Sequence, residues 1–178
     1  MRVIAGSAKG IRLDAPDGLS TRPTTDKTRE AIFGSLQFVI RDAVCLDLFA
    51  GSGAMGIEAL SRGAKRCVFV DIDRKAIGIV KKNLAAARVN GAEVLQMSYE
   101  QAIGRLNEKF DFIFMDPPYA SGFYQKAVDL ILENDLLAED GKIIAEHDGS
   151  LQLTGVEELK TKRYGKSFVS QYAKEDEE

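Results

Sequence analysis

The chain has 178 residues, 45% of them hydrophobic and 29% charged, with a formal net charge of −3 at pH 7. That length and mix describe one globular domain with a real core and exclude disordered, collagen-like and fibrous classes. The longest charge-free runs, Ala31–Ile40 and Leu48–Ile57, hold ten residues each, against about 20 apolar residues for a membrane-spanning helix. No membrane partner is expected, and without an apolar segment after Met1 the expected location is the cytoplasm.

From the N-terminus, Val3–Ala5 and Ile11–Leu13 flank Gly6 and Gly10 and predict a short hairpin, followed by a turn-rich stretch through Pro16, Gly18 and Pro23. A helix starts near Thr24 or Thr25, with Asp26 and Glu30 in its first turn and Ile32, Phe33, Leu36 and Ile40 on one face. From Val44 the pattern changes to short apolar runs, Val44–Phe49, Cys67–Asp71, Glu93–Met97, Phe110–Met115 and Lys142–Glu146. Helix-like segments at 54–62, 73–89, 99–107 and 122–134 separate them. Strands alternating with helices predict right-handed crossovers and a parallel sheet covered on both faces. Leu159–Tyr164 and Ser167–Tyr172 alternate around Gly165-Lys166, a two-residue hairpin turn.

The charge is unevenly spread. Residues 175–178 carry four negative charges, leaving +1 on the other 174, while residues 1–29 carry an excess of +3. A solvated surface explains a modest basic arm as well as a nucleic-acid partner does. Cys45 and Cys67 lie in strand-like runs and suit buried thiols. With His147 the one histidine, a His-based metal centre or nucleophile pair is not expected. The chemistry falls to carboxylates, backbone and aromatics.

The first chemical motif runs from Leu46 to Gly56, where the first parallel strand turns into a helix. Gly51, Gly53 and Gly56 satisfy G-x-G-x-x-G, and Asp71 follows Gly51 by twenty residues, the pattern of an adenosine-containing cofactor with its ribose on the acid. Asp47 separates the candidates. A pyrophosphate would be repelled by an extra carboxylate, whereas the ammonium and sulfonium of S-adenosylmethionine would be attracted. The competing reading of Asp47 is a loop-bracing carboxylate. The second motif, Asp116-Pro117-Pro118-Tyr119, ends the fourth strand. Ligands in open parallel sheets sit beyond the carboxyl ends of strands, so both motifs face one crevice. The prolines stiffen a turn of carbonyl acceptors beside the Asp116 carboxylate, and Tyr119 offers a stacking face for a base.

Asp-Pro-Pro-Tyr after an apolar strand resembles motif IV of the amino-methyltransferases, class I S-adenosylmethionine enzymes acting on exocyclic amines of adenine or guanine. Asp47 through Gly56 resembles their motif I. Together with Arg2-Val3-Ile4-Ala5-Gly6, Arg22-Pro23-Thr24 and Arg29-Glu30-Ala31-x-Phe33, the chain is similar over nearly its whole length to the RsmD-type bacterial 16S ribosomal RNA guanine-N2 methyltransferases. The resemblance implies a Rossmann-like class I methyltransferase fold: a mostly parallel seven-stranded sheet with an antiparallel C-terminal hairpin, plus a short N-terminal β-hairpin and helix extension. Residues 1–40 would be an RNA-binding extension, 41–174 the catalytic core and 175–178 an acidic tail. S-adenosylmethionine would lie on Asp47, Phe49, Gly51, Ser52, Gly53, Asp71, Ile72, Ser98 and Tyr99. Relatives often place Asp or Asn near Ser98; here adenine recognition would rest on Ser98 and backbone groups. Asp116, Pro117 and Tyr119 would be catalytic, and Arg2, Lys9, Arg12, Arg22, Lys27 and Arg29 would contact ribosomal RNA or an assembling small subunit, with no metal. Adenine-N6 methylation of RNA or DNA shares motif IV. A nicotinamide-dependent oxidoreductase would use the glycines and Asp71 but leave Asp116–Tyr119 idle, and a non-catalytic RNA-binding module would leave both motifs idle.

Overall fold

A computed structural model of the chain describes residues 1–16, 25–118 and 122–177. Among the described residues five helices and seven strands follow one another, alternating from α1 to β5: α1 (Asp26–Leu36), β1 (Val44–Asp47), α2 (Ala54–Ser61), β2 (Arg66–Asp71), α3 (Arg74–Ala87), β3 (Ala92–Gln96), α4 (Tyr99–Arg105), β4 (Phe110–Met115), α5 (Phe123–Glu133), β5 (Leu137–His147), β6 (Val156–Tyr164) and β7 (Ser167–Lys174). Local chemistry sets the helix starts. Thr25, Asp73 and Ser98 each cap a helix by accepting a backbone N–H, which satisfies one of the orphan donors of a first turn.

The strands form one sheet in the order β3-β2-β1-β4-β5-β7-β6. Strands β1 to β5 pair in parallel, and β7 runs antiparallel to both β5 and β6, as the C-terminal hairpin requires. Alternation along each strand feeds two cores. On β4, Phe112 and Phe114 face Phe33, Leu36 and Ile57 under α1 and α2, while Ile113 and Met115 face Ile103, Val128 and Ile131 under α4 and α5.

Two elements depart from the sequence reading. The N-terminal hairpin reduces to a single antiparallel bridge between Arg2 and Arg12. The Ala5 amide, next in line for the ladder, donates instead to the Glu58 carboxylate on α2 at 3.1 Å, and the outward-facing Ile4 amide joins it there at 2.8 Å. The segment is also no appendage: Val3, Ala8 and Leu13 are buried in the first core, and a Cβ on Gly6 would come within 1.9 Å of the Ser61 carbonyl oxygen. Strand β5 starts five residues before Lys142, at Leu137 paired with Phe110, with a register shift between β4 and β5 opposite Phe110–Phe112. The charged stretch Glu139-Asp140-Gly141 reads as a loop, but it is carried inside the strand as an irregularity.

Candidate active site

Strand β1 lies between β2 and β4. The chain leaves β1 toward β2 and β3 on one side and resumes at β4 on the other, so the strand order reverses there, the place where open α/β sheets bind ligands. Asp47 pairs with Phe114 in the sheet, two residues before Asp116, which brings the ends of both motifs side by side. Beyond them opens a cleft of about 380 Å³, within the roughly 300–1,000 Å³ range of small-molecule sites.

The turn from β1 into α2 is built by glycines and carboxylates. Gly51 and Gly53 take φ of 57° and 79°, left-handed values that an L side chain resists. Gly56 is needed for packing: a Cβ there would sit 2.4 Å from Phe69 Cε1 and 2.7 Å from Cys67 Sγ. Asp47 is buried and accepts the Gly56 N–H at 3.1 Å. It therefore braces the start of α2, as the loop-bracing reading expects, while also lining the cleft. Burial is the main cause that pushes its pKa up to about 7, eased by the Gly56 N–H and raised further by Asp71.

Asp71, at the end of β2, accepts the Gly51 N–H at 2.9 Å through one oxygen and the Asp73 N–H at 2.9 Å through the other. The two glycine-loop strands are thus tied to each other by the acid itself. Burial raises the Asp71 pKa against these two N–H contacts. Carboxylate oxygens carry four lone-pair sites between them, so acceptor capacity remains toward the cleft. Ile72 beside it is 72% exposed.

Of the expected cofactor residues, Asp47, Phe49, Gly51, Ser52, Asp71, Ile72, Ser98 and Tyr99 all line the cleft, as do Asp116, Pro117 and Pro118. Gly53 does not; it is the left-handed N-cap of α2. Ser98 closes a capping box with Gln101, so its oxygen is committed as an acceptor to the helix and its O–H is what it can offer a ligand. Tyr119 and Arg22 lie outside the described residues.

Arg29 is a correction. Its side chain is fully buried, with contacts to Glu58 at 3.4 Å and Asp26 at 2.9 Å and a further hydrogen bond to the Arg2 carbonyl. It anchors α1 and the arm and presents no charge to an RNA. Arg2, Lys9, Arg12 and Lys27 are exposed.

Two positions at or beside the cleft escaped sequence reasoning. Phe123, the first residue of α5, lines the cleft and stacks on Phe49 at 6.1 Å, with Tyr99 tilted between them at 5.0 and 5.4 Å. Asn83 is the one polar residue among the buried positions of α3. Its amide nitrogen donates to the carbonyls of Ser52 and Asp14, both at 2.9 Å, and its oxygen accepts the Asp14 N–H. An amide at the i, i+4, i+7 positions of Ala76, Val80 and Asn83 was a visible signal.

The family model described as conserved hypothetical protein 95 matches residues 1–173. The chain is 47% identical over 157 residues to the Bacillus subtilis protein named "Putative rRNA methyltransferase YlbH", covering 86% of this chain and 85% of that one. It is 37% identical over 148 residues to "Ribosomal RNA small subunit methyltransferase D" of Escherichia coli K12, covering 83% and 75%. The chain belongs to this RsmD family of methyltransferases. A solved structure, "Putative methyltransferase yhhF from Escherichia coli", superposes with a TM-score of 0.88 at 32% identity over 98% of each chain. Membership of the RsmD family makes the chain a methyltransferase and sets aside the nicotinamide and non-catalytic readings. Among the described residues no helix is long and apolar enough to cross a membrane, and no group of His, Cys, Asp or Glu is arranged to hold a metal.

Proposed function

We propose that the chain methylates the exocyclic N2 amine of a guanine in 16S ribosomal RNA, using S-adenosylmethionine. The observation that carries the reading is one cleft holding a buried carboxylate, Asp47, on the β1 side and the Asp116-Pro117-Pro118 acceptor turn on the β4 side. The fit to this cofactor is tested by Asp47: a fully buried carboxylate with one backbone donor is an anion short of compensation. A cationic ligand group supplies that compensation, and a pyrophosphate would worsen the deficit.

S-adenosylmethionine supplies an electrophilic methyl group when bound. Asp47 and the Gly51 loop would hold its methionine end and Asp71 the ribose hydroxyls. Ile72 would lose its exposed apolar surface against the adenine, whose edge falls to Met97 and Ser98. Asp116 and the Pro117 carbonyl would accept hydrogen bonds from the target amine. That favours a tetrahedral nitrogen whose lone pair is withdrawn from the ring and stabilises the positive charge growing as it takes the methyl. No prior deprotonation is needed; the nitrogen releases a proton afterwards. The target base must leave its stack to reach this turn, and Tyr119 would hold it there.

The test is transfer of a tritiated methyl group to naked ribosomal RNA and to small-subunit particles from cells lacking the protein, followed by mapping of the modified base. Label on a guanine N2 is expected. Label on adenine N6, or none on either substrate, overturns the assignment, and the two substrates separate free RNA from the assembling particle.

A further inference from the structure

The strongest unassigned charge lies at the other end of the chain from the basic arm. Residues 160–166 read Lys-Thr-Lys-Arg-Tyr-Gly-Lys, four positive charges without an acid. Lys160 and Lys162 project from one face of the edge strand β6 and Arg163 from the other, and Lys166 sits in its turn to β7; all four are exposed. None makes an ion pair among the described residues, in contrast to the paired Arg62, Arg66, Lys82 and Lys109.

Sheet register places this cluster beside the cleft. Met115 pairs with Ala145, Ala145 with Ser170, and Ser170 with Thr161. One row therefore crosses from β4 to the β6 edge, and the next two residues outward are Asp116 and Pro117 on β4, and Lys162 and Arg163 on β6. Three strand spacings of about 4.8 Å put roughly 14 Å between them, a span that a single-stranded RNA crosses in a few nucleotides. The β6–β7 turn opens at the same end of the sheet as the cleft. The acids of β6, Glu157 and Glu158, lie at its opposite end, paired with Ala173 and Tyr172.

Arg163 is held ready. Its Nε donates to the Gly165 carbonyl at 2.7 Å, and its guanidinium lies 5.7 Å from the centroid of the Phe168 ring. A planar fork fixed in this way loses little side-chain freedom on meeting a phosphate. We propose that Lys160, Lys162, Arg163 and Lys166 form a second nucleic-acid contact surface, gripping the phosphate backbone of the RNA whose target base enters the Asp116 turn. This rests on the proposed RNA substrate. The competing use of lysines on an edge strand is protection against edge-to-edge pairing, which charge of either sign provides.

That difference in sign gives the test. Small-subunit ribosomal RNA transcript is titrated against the full chain at several salt concentrations, beside a Lys160→Gln/Lys162→Gln/Lys166→Gln variant and the corresponding triple Glu variant. Thermal melts and S-adenosylmethionine calorimetry verify that each variant is folded with its cleft intact. For single-stranded contacts each neutralised phosphate contributes about 0.7 to the log–log salt slope, so the Gln variant should lose about 2 from the slope. Its KM for RNA should rise while kcat holds, and the Glu variant should bind still more weakly. If the intact chain shows no salt-dependent RNA affinity, the RNA reading itself falls. If it does, and both variants keep its slope and KM, the hairpin assignment alone is overturned, the more so if only the Gln variant aggregates.

Discussion

The side-chain amide of Asn83 bridges the carbonyls of Ser52, in the glycine loop, and Asp14, in the N-terminal arm. It sets the loop and the arm in one frame, with Pro16 of the arm in the wall of the same cleft.

Asn83→Ala leaves the buried Ser52 carbonyl without that partner, at about 1–3 kcal/mol, and frees the half-buried Asp14 carbonyl to meet water. We expect a lower melting temperature together with a weaker S-adenosylmethionine Kd by calorimetry. Asn83→Asp should be worse than Ala at neutral pH, since it sets a carboxylate against two carbonyl oxygens, and should recover as pH falls. Unchanged cofactor affinity in both variants would remove Asn83 from the loop's support.

Asp71→Ala removes the acceptor for ribose and for the Gly51 and Asp73 amides together. A loss of about 1–3 kcal/mol of cofactor binding, roughly 5–150-fold in Kd, is expected. Calorimetric affinity equal to that of the unmodified chain would dismiss the ribose assignment.

Asp47 predicts a pH dependence. Its pKa of about 7 in the free protein means that the cofactor-free cleft holds a proton that a bound ammonium would displace. Affinity should therefore rise with pH and level off above about 7, with proton release at lower pH seen as a buffer-dependent calorimetric heat. The same lift makes the cofactor-free fold lose stability as pH climbs from the ordinary carboxylate value of 3.8 to about 7, because the unfolded chain gives up its proton first. Asp47→Asn should flatten both profiles; a wild-type affinity flat from pH 5 to 8 would contradict the assignment.

Asp116 is expected to act as the methyl transfers rather than in cofactor binding. Asp116→Ala should cut kcat by about 10²–10³ with cofactor Kd within a few-fold, and Asp116→Asn, which keeps an acceptor but not the charge, should fall between. A variant with lower melting temperature and near-normal kcat would reduce Asp116 to a brace for the proline turn.

The parallel part of the sheet was legible because its strands carry short apolar runs separated by helix-like segments, and the cleft because both motifs end adjacent parallel strands. What remained hidden depended on partners far along the chain. Arg29 reads as part of a basic arm, yet it shares the i, i+3, i+4, i+7 face of Ile32, Phe33 and Leu36. Its burial depends on Glu58, which no local pattern announces. Phe123 reads as an ordinary helix start until the register sets it against Phe49. The hairpin at residues 2–12 has strand-like runs, but the Glu58 carboxylate takes the Ala5 amide that would continue the ladder.

Glu58 also bears on the order in which the molecule can assemble. It gathers the Ile4 and Ala5 amides with Arg29 and Arg62, so residues 4 and 5 have no place to settle until α2 exists, and Asp14 must wait further for Asn83, 69 residues later. Closing such loops costs entropy before any contact repays it. The arm therefore docks late, onto a sheet already taking shape, and Glu58→Gln, which weakens the acceptor that holds the Ile4 and Ala5 amides, should speed unfolding far more than it slows refolding.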